Sequence, residues 1–174
     1  MNRGKWLGFA IAILFLSVIG CTNKDDAADT RTNVTDSAFA ILASSINIAE
    51  IAASQIVADS SSDSTMIEFA EMMLAEHSAA QQELQTVASQ FGLAVTNAVD
   101  AEHQMFIDSL LDLKSPAIDS LYIFRQVADH EKAIHIFKNH EAHGRQRQLR
   151  FYTQELLPVL TTHLQQAQSL ASQY

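Results

Sequence analysis

Apolar residues recur at intervals of three and four over four long stretches of the chain, and no sustained alternation of period two appears. This pattern predicts helices over about Asp36 to Ala58, Asp63 to Phe91, Pro116 to His143 and Arg145 to Ser172. The turn between the first two, Asp59-Ser60-Ser61-Ser62, is short enough to force an antiparallel hairpin. Asp63 or Ser64 can cap the second helix, Thr65 with Glu68 offers a capping box, and Gly92 suits its C-terminal end. Residues 93–116 are too many for a tight turn. Within them Asn97 to Leu113 carries Val99, Phe106, Leu110 and Leu113 on one side and reads as a short helical crossover. Pro116 opens the next helix, where a missing N–H costs nothing. Gly144 separates the last two helices, and Pro158 inside the final one predicts a kink. Two hairpins of long helices joined by a crossover make an all-α, ferritin-like four-helix bundle over residues 36–174.

Each long helix has an inward stripe, and each stripe is broken once by a polar residue. The first runs Phe39, Leu42, Ile46, Glu50, Ala53, Val57; the second runs Met66, Ala70, Met73, His77, Ala80, Leu84, Val87, Phe91. The third gives Ile123, Val127, His130, Ile134, Phe137, and the fourth gives Leu149, Tyr152, Leu156, Val159, His163. A carboxylate among aliphatic side chains costs several kcal/mol unless it is paired or bound to a cation. Imidazole nitrogens and a carboxylate oxygen are the usual ligands of zinc, iron, manganese or copper, so Glu50, His77, His130 and His163 form a candidate site for one divalent transition metal. The alternative is a metal-free cluster in which Glu50 accepts from a histidine. Register opposes a simple four-ligand shell. Counted from the turn near Ser61, and from Gly144, the partners in each hairpin are offset by five residues, roughly 7 Å along the bundle. His103 also falls on the crossover stripe, so a stripe histidine is not by itself a ligand.

Other chemistry is absent from the pattern. No Glu has a His three residues later, as the di-iron bundles require. His130 and His135 enclose a near-zincin motif, but five residues turn a helix by about 500° and point the two rings apart. His140, Glu141 and His143 read as a polar helix end beside Gly144, and no nucleophile elbow or phosphate loop occurs.

The first 20 residues change the picture of where the protein works. Arg3 and Lys5 precede an apolar run from Trp6 to Ile19, then Gly20 and the single cysteine, Cys21. These are the parts of a signal peptide, and the run is short for a membrane span of about 20 residues. Val18-Ile19-Gly20-Cys21 resembles a bacterial lipobox, which makes Cys21 the expected lipidation site and residues 21–35 a flexible tether. The expected location is the cell envelope, anchored to the outer membrane on its periplasmic or surface face, with Lys24-Asp25-Asp26 resembling an export signal to the surface. Cleavage would take two positive charges from a chain of net charge −9, leaving −11. Nothing basic remains to neutralise phosphates, so nucleic acid is excluded as a partner and the membrane contact is through the lipid.

Four segments together carry a likeness: Asn47-Ile48-Ala49-Glu50-Ile51; Phe69-Ala70-Glu71-Met72-Met73 with Glu76-His77; Tyr122 with Gln126 and His130; and Leu157-Pro158 with His163-Leu164. In these the chain resembles the bacterial family called domain of unknown function 4142, from about Asp36 to Leu170. The resemblance implies an exported, ferritin-like helical bundle. An Asp-His pair is common in the family where this chain has Glu76-His77. Three functions follow as expectations: a metal-binding or stress-related accessory module without turnover, a mononuclear redox metalloenzyme, and a structural or interaction lipoprotein with a buried Glu-His cluster.

Overall fold

A computed structural model describes residues 34–174; the expected signal peptide, Cys21, and the expected tether as far as residue 33 lie outside the described residues. The described residues form five helices and no strand: α1 (Val34–Ser60), α2 (Ser64–Gln90), α3 (Ala101–Leu111), α4 (Ala117–His143) and α5 (Arg147–Ala171). The starts and stops follow local chemistry. Asp63 caps α2, its carboxylate accepting from the N–H groups of Thr65 and Met66, which places the Thr65 and Glu68 pair inside the helix. Gly92 ends α2 at φ 62°, a conformation a side chain would oppose, and lets the N–H of Leu93 reach back to the Ala88 carbonyl at 3.0 Å. The crossover helix is shorter than the expected 97–113. Thr96 Oγ1 takes the N–H of Ala98 at 3.0 Å in a turn, and Asp100 then caps α3 by accepting from His103 N at 2.9 Å. Pro158 lies inside α5.

Contacts at the two ends fix the topology. Ser62 N–H donates to Ser115 Oγ at 2.8 Å, and Tyr174 OH donates to Asp63 Oδ2 at 2.8 Å, so the α1–α2 turn, the start of α4 and the end of α5 share one end. At the other end Asp36 of α1 accepts from Gln146 N at 3.2 Å, between α4 and α5. Thus α1 and α2 are antiparallel, α4 and α5 are antiparallel, and α2 runs parallel to α4, as a crossover requires. Helix α3 lies against α1 and α4.

The core is divided in two. Val57, Met66, Phe69, Leu110 and Tyr122 belong to one apolar cluster, at the Ser62 end; Phe39, Leu84, Phe137, Leu149 and Tyr152 belong to another, at the Gly144 end. Between them lies a belt of buried polar side chains that includes Asn47, Glu50, His77, Gln126, His130 and His163. One stripe residue departs from the pattern: Leu42 is exposed. It lines an open cavity between α1 and α4, beside His135 and Ile136. By length and composition α1 could cross a membrane, but 61% of that apolar window is buried inside the bundle, which is what a core helix shows.

Candidate metal centre

The belt brings His77 of α2, His130 of α4 and His163 of α5 together, all three within 2% of complete burial. One nitrogen from each ring lies within 4.8 Å of the other two. The rings stand at centroid distances of 5.7, 5.4 and 5.3 Å, edge-on or tilted rather than stacked.

What each ring does with its outer nitrogen decides what the inner one offers. His163 Nε2 lies 2.9 Å from the Glu76 carboxylate, which can only accept, so this nitrogen carries the proton. His130 Nδ1 donates to the backbone carbonyl of Gln126 at 2.9 Å. His77 Nδ1 donates to Asn47 Oδ1 at 3.1 Å. The orientation of Asn47 is itself set by a relay: its Nδ2 donates to Gln81 Oε1 (3.4 Å) and Tyr152 OH (3.2 Å). Gln81 Nε2 donates in turn to Ser44 Oγ (2.8 Å), and Ser44 donates to the Thr96 carbonyl (2.7 Å). Each neutral imidazole has one N–H. All three are directed outward, so three lone pairs point inward.

Two consequences follow. His77 Nε2 is buried and finds no hydrogen-bond partner among the described residues. His130 Nε2 and His163 Nδ1 face each other at 3.3 Å with no proton to share between them. That spacing equals the edge of a tetrahedron of nitrogens about 2.0–2.1 Å from zinc, roughly 3.3 Å. A proton is a poor substitute for a metal here. Burial holds the pKa of His130 down at about 4, that of His77 well below its ordinary value with the other two rings adding to the effect, and that of His163 below its ordinary value as well. Acceptors behind ligating histidines, fixing tautomer and ring direction, are the usual support of a metal site.

Glu50 is buried in the same belt but lies outside the three-nitrogen group. It accepts from Gln126 Nε2 at 2.6 Å, on the side of the Ser62-end core. Register explains this. Glu50 is one helical turn nearer the Ser62 end than the residue level with His77, and that residue is Asn47. Burial pushes the Glu50 carboxyl up to about 7, the neighbouring Asp129 adds to the rise, and the Gln126 hydrogen bond opposes it. Of the four expected ligands, the three histidines come together, and Glu50 is joined to them through Gln126. The offset expected between His130 and His163 is reduced by the extended residues Gly144 and Gln146, at ψ 142° and 113°, which delay the start of α5.

A fourth buried histidine corrects the reading of the α4 end. His140 is 1% exposed rather than part of a polar helix end. Its Nδ1 meets Thr153 Oγ1 at 2.8 Å and its Nε2 meets Asp36 Oδ1 at 3.1 Å, while Phe39 stacks on the ring at 3.9 Å. A Cβ at residue 144 would lie 2.5 Å from His140 Nε2, so glycine is needed there for space. The signal was present in the sequence. Extending the α4 stripe one step past Phe137 reaches His140, and stepping back from Phe39 on α1 reaches Asp36. His143, by contrast, is exposed, and His103 bonds Asp100 at 2.7 Å away from the centre.

The model of the family described as domain of unknown function (DUF4142) matches residues 21–170. The chain belongs to this family. Among solved structures, a DUF305 fragment from Deinococcus radiodurans superposes with a TM-score of 0.74 at 7% identity, covering 82% of this chain and 99% of that one. At that identity the likeness is one of fold. No curated protein matches the chain.

Proposed function

We propose that this DUF4142 domain holds one transition-metal ion on His77, His130 and His163 and serves the cell envelope as a metal-binding accessory module without turnover. The observation that carries the reading is the commitment of every outer N–H to an acceptor, which leaves three buried lone pairs converging. Neutral nitrogen donors alone suit zinc or copper; iron and manganese in helical bundles are held mainly by carboxylates, and Glu50 is engaged by Gln126. The depth of the three rings supports binding over catalysis. The second reading, a redox metalloenzyme, rests on the ligand count, since three ligands leave a coordination position for a small oxidant.

The address is part of the proposal. The basic and apolar leader, the lipobox-like Val18-Ile19-Gly20-Cys21, and a family match that begins at Cys21 support lipidation at that residue and anchoring in the outer membrane. Mass spectrometry of the mature N-terminus should show an acylated Cys21; a soluble protein beginning elsewhere would remove this element.

Thermal melting tests the metal. Protein stripped with chelator should melt higher when zinc or copper is added, by the equivalent of about 2.7 kcal/mol at a hundredfold excess over Kd. His77→Leu should lose most of that rise, and His135→Ala and His143→Ala should keep it. A wild type indifferent to zinc, copper, manganese and iron(II), together with a stabilised His77→Leu, would leave the belt a structural cluster.

A further inference from the structure

The three histidines are not supported alike. The acceptors behind His77 and His130 are sealed in the bundle, Asn47 at 3% and Gln126 at 1% exposure. The acceptor behind His163 is Glu76, whose side chain is 46% exposed. Glu76 also lines an open cavity of about 200 Å³ between α2 and α5, together with Ala79, Ala80, Glu83, Leu156 and Val159. The walls on the bundle side are small or aliphatic, and the polar groups are carboxylates. Burial raises the pKa of Glu83, and a third acid, Glu155, adds to the rise through its charge and a hydrogen bond, so two carboxyl groups are held close together at this mouth. One ion-pairable group, Glu76, therefore touches both solvent and the buried centre.

Resting on the metal reading above, we infer that Glu76 is the point at which a divalent cation enters and leaves the trihistidine centre, with His163 as the ligand that hands it inward. The acidic mouth alone would prove nothing. What ties it to a ligand is the bond of 2.9 Å between Glu76 and His163, one of three rings that converge on each other and include the buried, unpartnered His77 Nε2. A cation drawn to Glu76, Glu83 and Glu155 displaces the His163 N–H from the Glu76 carboxylate. The freed ring turns outward on its side-chain torsions, takes the cation on Nδ1, and carries it to His130 and His77 as it turns back. No proton needs to move, because Nδ1 offers a lone pair throughout. Glu76 is thus a positioning and capture residue, distinct from the ligands.

Rates separate this from a merely orienting role. Full-length protein, stripped of metal and mixed with cobalt(II), reports binding through the cobalt absorption bands, and competition with zinc gives dissociation. Glu76→Gln keeps an acceptor for His163 Nε2 but removes the charge. Its association rate should fall about tenfold or more, within the range by which focused charge accelerates encounter, and its dissociation rate should fall with it. A residue that only orients His163 would raise the dissociation rate and leave association unchanged, and that result would overturn the inference. Glu83→Gln with Glu155→Gln should slow association and weaken its salt dependence while leaving the Kd unaltered; normal association there would also count against the route. A wild type that binds cobalt and zinc with a Glu76→Gln variant of unchanged kinetics leaves the metal site standing and removes this route alone. Failure of the wild type to bind either metal would remove both.

Discussion

Two buried clusters in this molecule pair a carboxylate with histidine chemistry, and they differ in how completely their polar atoms are satisfied. At the Gly144 end, both nitrogens of His140 have partners, Thr153 and Asp36, and Asp36 further accepts from the N–H groups of Arg145 and Gln146 at 3.0 and 3.2 Å. In the middle of the bundle, each of three rings uses its outer nitrogen and leaves the inner one, while His77 Nε2 and Gln126 Oε1 have no hydrogen-bond partner among the described residues. Glu50 accepts from Gln126 at 2.6 Å and has a raised pKa. Unmet buried polar atoms cost about 1–3 kcal/mol each, so a fold retains them only where something else offsets the loss. Burial alone does not mark a functional histidine. A ring with two partners locks helices together; a ring with one partner, facing others like it, is the arrangement on which the proposed metal site rests.

The largest expected effect falls on the satisfied cluster. Asp36→Ala would strand three donors at a buried site and should cost about 3–5 kcal/mol in denaturant unfolding, with the metal-dependent rise in melting temperature intact. A small loss, or a lost metal response, would erase the distinction between the two clusters.

Next comes Glu50→Gln, which tests the unsatisfied one. The folded-state pKa of Glu50 is raised, so the folded protein holds this proton more tightly than the unfolded chain. Its contribution is present below the unfolded pKa, near 4.5, and is lost as pH rises through about 7. The metal-free variant should therefore match wild type near pH 4 and exceed it by on the order of 3 kcal/mol at about pH 8. The buried histidines, with lowered pKa values, lose stability in the opposite direction as pH falls below 6.5, but they do so in both proteins and cancel in the difference. A difference that stays flat across this range would show that Glu50 is charged and fully compensated.

The smallest effect belongs to the relay behind His77. Asn47→Leu frees the His77 tautomer, and the zinc Kd measured by chelator competition should weaken roughly 10–100-fold, about 1.4–2.7 kcal/mol. Thr153→Val, the corresponding change beside His140, should leave that Kd alone. Equal effects of the two would mean that the relay does no more for metal binding than distant packing does.

Much of this was legible in the chain because it is periodic. A three-four repeat names the inward face of each helix, few glycines and prolines force long elements, and a 26-residue gap between Gln90 and Ala117 with an apolar stripe of its own requires a crossover. The stripes likewise named His77, His130 and His163 as inward residues. Followed one step further, they would also have named Asp36 and His140. Leu42 departs from the pattern because a stripe records the direction a side chain points and not whether another element covers it; the cavity between α1 and α4 is open there.

The sequence by itself determined the fold class, the hairpin and crossover order, and the inward placement of the polar residues, since these depend on local propensity and on a periodicity fixed by helix geometry. Which polar residues meet was decided only by the tertiary structure. Axial register between helices depends on where each turn ends and on the extended residues around Gly144, and a shift of three residues, about 4.5 Å, replaces Glu50 by Asn47 as the partner of His77. The state of each imidazole is later still in the hierarchy. It follows from hydrogen bonds between residues as far apart in the chain as Glu76 and His163, and no local pattern encodes which nitrogen carries the proton.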